Sequence, residues 1–361
     1  MPPVSGWDRS GNLCVAKGSP GGQVIVVRAF QAAILLGILL PGAALAAPLQ
    51  YLSGAGDKAT PVVWLTWGVL AISVIVMVVI AGLLAGAIWH RPGQGWTVGD
   101  KAPILADEGG LNWLWIGVCV SALVLLFSIV WTVKVLAQIQ APSARPAVTI
   151  EVTGKQWWWQ ARYLSDDVSQ QFTTANEIHI PTGVPVRLKL IGGDVIHSFW
   201  VPQLAGKMDA IPGQTNETWI EASAPGTYRG QCTEYCGLQH SKMALLVVAE
   251  PDFDFRKWWA RQLAAPAAPE GRALMGQADF QGQCGSCHAV RGTEAEGALG
   301  PDLSHLMQRA TIASGVLPND GPTLAHWIAD PQSLKPGSQM PAPALSEYQL
   351  ANVHAYLKTL D

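Results

Sequence analysis

Two short stretches of the chain concentrate soft metal donors. "QCTEYCGLQHSKM", residues 231–243, places Cys232, Cys236, His240 and Met243 within one loop-sized span. "GQCGSCHAV", residues 282–290, places Cys284, Cys287 and His288 in a C-x-x-C-H run. Thiolate, thioether and imidazole are the donors that copper, zinc and iron take. A C-x-x-C-H run is the attachment motif of c-type haem. Cys284 and Cys287 would form thioethers to the porphyrin, and the adjacent His288 would then be forced onto the iron.

A second axial ligand must come from further along. "KPGSQMPA", residues 335–342, offers Met340 between Pro336 and Pro341. Met307 is the rival, but its helical spacing from Leu303 and Leu306 predicts a packing role. A His/Met pair fills both axial positions and raises the potential, so such an iron transfers electrons and does not bind oxygen. His305, His326 and His354 are expected at the surface or in packing.

The first stretch has one cysteine too many for a blue copper site, which takes one Cys, two His and a weak Met. His197, in "GDVIHSFW", supplies a further imidazole. The surplus thiolate points to two coppers bridged by two sulfurs, with one histidine on each. Sharing charge across both metals lowers reorganisation on reduction, which suits electron transfer. A structural zinc and a disulfide are the alternatives. Met243 and the loop placement weigh against zinc, and the trailing histidines weigh against a disulfide.

These donors need elements to hold them. The 361 residues carry 16 Trp and only 14% charged side chains, with six cysteines in all. Low charge reads as partly membrane-embedded. A net charge of −3 leaves no basic footprint for nucleic acid. Residues 1–46 read as a secretory signal: an apolar run follows Arg28 and ends in Ala44-x-Ala46. Residues 47–140 hold two apolar runs, about 62–89 and 111–137, each longer than the roughly 20 residues needed to cross hydrocarbon. Trp64, Trp67, Trp89, Trp113 and Trp115 mark their ends, as interfacial aromatics do. The signal and the haem motif place everything after about residue 140 outside the cytoplasm.

From 141 to 258 the pattern has period two. "VTIEVTG", "WWWQARYL", "EIHIP", "PVRLKLIG", "TWIEA" and "ALLVVAE" predict short strands of a Greek-key β-sandwich. His197 is expected just after a strand, and the Cys232–Met243 loop just before the last one. An Ala/Pro linker, 259–272, leads to a tail, 273–361, with helices expected around "GQADFQGQCGSCH" and "SEYQLANVHAYLKTL".

The copper loop, with "DVIHSFWVP" and "KMDAIPG" before it, resembles subunit II of the haem–copper cytochrome c oxidases. The tail resembles a class I cytochrome c, with "GPDL" (300–303) bringing Pro301 near the proximal histidine. Together they are similar to the caa-type fusion. The resemblance implies three parts: a two-helix transmembrane hairpin, a cupredoxin-like sandwich and an all-α cytochrome c domain. It implies that one copper takes His197 and Met243, and the other His240 and the backbone carbonyl of Glu234. Cys232 and Cys236 would bridge both. The Glu234 side chain would face a magnesium or manganese at the border with subunit I.

"KQWWWQARY" matches the family's aromatic stretch, which implies that Trp157 accepts electrons from an external cytochrome. Subunits I and III and the membrane are the implied partners. Cytochrome c or a bc complex is the implied donor, at the bacterial inner membrane. One departure is that Glu108 is displaced from the usual proton-channel glutamate, so that role is not carried over. A CuA subunit of a nitric oxide reductase and a membrane-anchored electron carrier are the alternatives. No catalytic acid, base or nucleophile stands out.

Overall fold

The computed structural model describes residues 49–89 and 110–361. The expected signal segment and the loop carrying Glu108 lie outside them. Two long helices come first, α1 (Thr60–Trp89) and α2 (Gly110–Gln140). Both are long and apolar enough to cross a bilayer. No residue of α1 is buried, and leucine, isoleucine and valine side chains stand exposed along both helices. Apolar surface of this extent is stable only against lipid or another protein.

Both flanks of this hairpin are tied to the domain that follows. Before α1, the Ala55 N–H donates to the Gln203 carbonyl, and Lys58 Nζ donates to Thr218 Oγ1 at 2.5 Å. In the last turn of α2, the Ile139 carbonyl accepts from the Trp219 indole at 3.2 Å.

The sandwich has ten strands: β1 (Val148–Lys155), β2 (Trp158–Leu164), β3 (Phe172–Ala175), β4 (Glu177–Pro181), β5 (Val186–Gly192), β6 (His197–Trp200), β7 (Met208–Ala210), β8 (Asn216–Ile220), β9 (Gly226–Cys232) and β10 (Ala244–Glu250). They form two five-stranded sheets, ordered β3-β2-β1-β5-β8 and β4-β10-β9-β6-β7. Alternate residues of β1, Ile150 and Val152, are fully buried, and they align with the equally buried Leu188 and Leu190 of β5. Period-two burial on paired strands is what makes one face of each sheet the core.

One helix, α3 (Asp252–Leu263), closes the sandwich. Asp252 and Asp254 in its first turn complement the helix dipole. Phe255 and Trp258 are buried, and Trp258 stacks on the His179 ring at 4.2 Å. The helix carries ordered structure to Leu263, past the domain boundary expected at 258, so the extended linker is 264–271, the Ala/Pro stretch itself.

The tail is built from α4 (Arg272–Gln283), α5 (Gly321–Ala329), α6 (Pro331–Leu334) and α7 (Glu347–Leu357). Phe280 of α4 meets Tyr356 of α7 with ring centroids 5.5 Å apart. A capping box, Ser346 with Gln349, starts α7. The tail is not purely helical. A two-residue hairpin, β11 (Thr311–Ile312) with β12 (Leu317–Pro318), stands between α4 and α5. Met307 lies in a single 3-10 turn and not in a helix, and it packs against the tail core.

Candidate copper and haem sites

The copper donors come from three places on one sheet. His197 follows β5, as expected, and itself opens the next strand, β6. Cys232 ends β9, and the loop to β10 supplies Cys236, His240 and Met243. β6 pairs with β9 in the register Phe199↔Cys232, which brings His197 beside the loop. The loop folds back at Gly237, whose φ of +112° suits only glycine. A side chain there would also press on Gln156 and Trp157.

The donor atoms converge. Cys232 Sγ lies 3.9 Å from Cys236 Sγ, 3.9 Å from His197 Nδ1 and 3.4 Å from the Glu234 carbonyl. Cys236 Sγ lies 3.6 Å from His240 Nδ1 and 3.8 Å from Met243 Sδ. Sulfur ligands at about 2.3 Å around one tetrahedral ion stand roughly 3.8 Å apart. The spacing therefore fits metal coordination, and it is far too long for a disulfide bond. Cys232, Cys236, Met243 and His197 are all buried, which excludes competing water.

The electrostatics agree with a thiolate site. The Cys236 thiol, turned toward Cys232, holds the Cys232 pKa down at about 3 despite burial. Cys236, facing that thiolate and itself buried, is pushed well up. Burial depresses His197, but its bonds to Cys232 and Asp194 outweigh that and raise its pKa.

Asp194 Oδ1 sits 2.8 Å from His197 Nε2. A proton held on Nε2 leaves Nδ1 as the metal-facing nitrogen, the usual carboxylate–histidine arrangement. Asp194 was visible in "GDVIH", but nothing in the sequence gave it this role.

The tail encloses a cavity of about 510 Å³. Cys284, Cys287, His288 and Met340 all line it, together with Trp157 and Trp158 of the copper domain. Met307 does not. The His288 Nδ1–H donates to the Pro301 carbonyl at 2.8 Å, which leaves Nε2 as a ligand. Burial keeps the His288 pKa below its ordinary value, so the ring is neutral, as an iron ligand must be. Gly300 makes room for it: a Cβ at that position would stand 2.6 Å from the imidazole. The residues present therefore fit a covalently held haem.

The two sites meet at the aromatic stretch. Trp159 is in the sandwich core, with its ring edge-on to His197 and Phe199. Trp157 donates from its indole to the Cys236 carbonyl at 3.0 Å, and Gln156 Nε2 donates to the same oxygen at 2.7 Å.

A soft thiolate cluster on a cupredoxin-like sandwich, joined to a helical domain whose C-x-x-C-H motif lines a cavity, gives two candidate cofactor sites in one chain. Residues 163–250 match the family "Cytochrome C oxidase subunit II, periplasmic domain", and residues 273–361 match the family "Cytochrome c". The chain is 41% identical over 216 residues to cytochrome c oxidase subunit 2 of Alkalihalophilus pseudofirmus, which covers 59% of this chain and 61% of that protein's length. It is 31% identical over 255 residues to the subunit 2 of Bacillus sp. (strain PS3), covering 66% of this chain and 70% of that one. The crystal structure of the periplasmic domain of subunit II of cytochrome oxidase from Bradyrhizobium japonicum shares 32% identity. It covers 34% of this chain and 96% of that one, with a TM-score of 0.31. The chain belongs to the cytochrome c oxidase subunit 2 family.

Proposed function

We propose that this chain is the electron-input subunit of a cytochrome c oxidase. An external donor delivers electrons to the tail domain. They pass through the copper domain to haems in a partner subunit I, where oxygen is reduced to water with proton pumping. When bound, haem c and the copper pair each supply a one-electron carrier, and the chain's own residues set their positions.

Cys284, Cys287, His288 and Met340 would hold the haem. Cys232, Cys236, His197, His240, Met243 and the Glu234 carbonyl would together hold the two coppers of a CuA centre, a one-electron store. The Glu234 side chain would take a magnesium or manganese ion at the border with subunit I. The two apolar helices anchor the chain in the bacterial inner membrane beside subunits I and III, with both redox domains on the outer side.

One observation carries this reading. Trp157 is among the residues that line the haem cavity, and its indole donates to the carbonyl of Cys236. A single residue thus stands between the two candidate centres, so Trp157 serves as the electron-input residue. The test is to purify the membrane complex and measure oxygen uptake with reduced cytochrome c or a bc complex as donor. Oxygen consumption that stops when copper is stripped supports the reading. Consumption of nitric oxide without oxygen uptake would move the chain to a nitric oxide reductase, and a chain that purifies alone would be a simple carrier.

A further inference from the structure

Among the contacts that seat the tail domain on the copper domain, one group lies in a wall of the haem cavity. That wall contains Lys335, a lysine only 3% exposed that plays no part in holding either cofactor. Its Nζ donates to the Trp157 carbonyl at 2.9 Å, to Ser314 Oγ at 3.1 Å and to the Ala313 carbonyl at 3.2 Å. Three donors meet three acceptors, so the ammonium is fully satisfied where it is buried. Ser314 Oγ donates to the same Trp157 carbonyl at 2.6 Å. The tail therefore grips, through two side chains, the backbone of the residue whose indole touches Cys236.

The surrounding contacts converge on the copper loop. The Ser314 carbonyl accepts from the N–H of Ala244, the residue after Met243, at 3.0 Å. Gln239 of the loop donates to the Pro336 carbonyl, and Lys242 Nζ donates to the Leu334 carbonyl at 3.3 Å. The turn that presents Ser314 is held in an unusual conformation. Ala313 and Ser314 have φ of 53° and 65°, in the left-handed region that non-glycine residues avoid. Such backbone persists where surrounding contacts over-determine it, and it is concentrated at functional positions.

We infer that Lys335, with Ser314, is a positioning residue for internal electron transfer: it locks the tail domain onto the Trp157 backbone and so fixes the haem cavity against the copper loop. The inference rests on the electron-input reading of the chain. Its consequence is that Trp157 is committed to the tethered haem, because its carbonyl and one face of its surroundings are already engaged by the tail.

The test uses the full chain in its purified oxidase complex, with Lys335→Met and Ser314→Ala made separately and together. Amide hydrogen exchange at Ala244 reads docking without reference to turnover. Photochemical reduction of the haem, followed by the appearance of reduced copper, reads transfer. Haem and copper spectra report whether each centre is intact. The expected result is at least a tenfold loss of Ala244 protection in the double variant. A comparable fall in the haem-to-copper rate should accompany it, with both spectra as in the wild type.

Unchanged protection and an unchanged rate in the double variant would overturn the inference. So would a Lys335→Met variant that loses haem ligation while Ala244 stays protected, because Lys335 would then serve the haem loop. A wild-type complex that consumes no oxygen would sink the electron-input reading and leave the exchange result to stand separately.

Discussion

Cys232 and Cys236 are separated by one turn of loop, yet the fold gives them different neighbours. Cys232 faces His197 and the Glu234 carbonyl, and Cys236 faces His240 and Met243. Replacing either with serine should therefore abolish a mixed-valence copper resonance, since one thiolate cannot share an electron evenly between two metals. Electron paramagnetic resonance checks this. Asp194→Asn is a gentler change. It keeps the shape but weakens the hold on the His197 Nε2 proton, and copper affinity should fall roughly 10- to 100-fold, measured by chelator competition.

The choice of sixth haem ligand belongs to this scale too. Met340 lines the cavity and Met307 does not. Met340→Leu should remove the near-infrared sulfur–iron band and lower the haem potential. Met307→Leu, a swap that nearly conserves volume, should cost less than about 1.5 kcal/mol and leave the band in place. The opposite pattern would exchange their roles.

Among the elements, β4 carries a charge cluster that the sequence did not announce. His179 lies between two carboxylates, Glu250 at 2.9 Å and Glu177 at 3.3 Å, and under the Trp258 ring of α3. Glu177 reaches further and accepts from the Ala310 N–H of the tail at 3.0 Å. Burial lowers the His179 pKa, but the two carboxylates outweigh it and the net shift is upward. The stabilisation is therefore complete below the ordinary imidazole value of 6.5 and is lost as pH rises through the raised folded value. His179→Gln should destabilise the copper domain by roughly 1–3 kcal/mol at about pH 6, and by less in alkali. The thermal midpoint of the copper chromophore in wild type and variant, followed across pH, checks the sign.

Elements with an apolar alternation were legible from sequence, and those without one were not. β1 and β5 show period-two burial that their residue types advertise, and β10 announces itself as a continuous apolar run. β6, β7 and β9 are short or interrupted by Gly, Arg and Gln, so their pairing is decided by neighbours. That is why β6, which His197 opens, was not among the expected strands. The copper loop was readable because its donors are close in sequence. The tail docking was not, because Ser314 and Trp157 stand 157 positions apart. Nothing local to either residue marks the contact.

At the scale of the whole molecule, the tail is held by the covalent linker and by docking contacts that include Lys335 and Ser314 on the Trp157 carbonyl and Ala310 on Glu177. A short tether sets an effective concentration near millimolar. Cutting the chain within 264–271 should leave the copper spectrum intact. Turnover with the physiological donor should then depend on dilution, as it does not in the intact chain. Turnover that stays constant on dilution after cleavage would mean either that the docking contact alone suffices or that the donor reaches the copper domain directly, and removing the freed tail separates these outcomes.

The short linker has a further consequence for how complexes share a membrane. α3 is packed down to Leu263, and His305 of the tail lies 3.1 Å from the Ala264 carbonyl just past it. The segment 264–271 can reach at most roughly 30 Å when fully extended. A tail released from its docking contacts thus stays within that reach of its own copper domain. Its return is an intramolecular event, independent of how many other copies share the bilayer. On the electron-input reading, the supply to each copper centre then scales with donor encounters at its own tail and not with a pool of tails held in common.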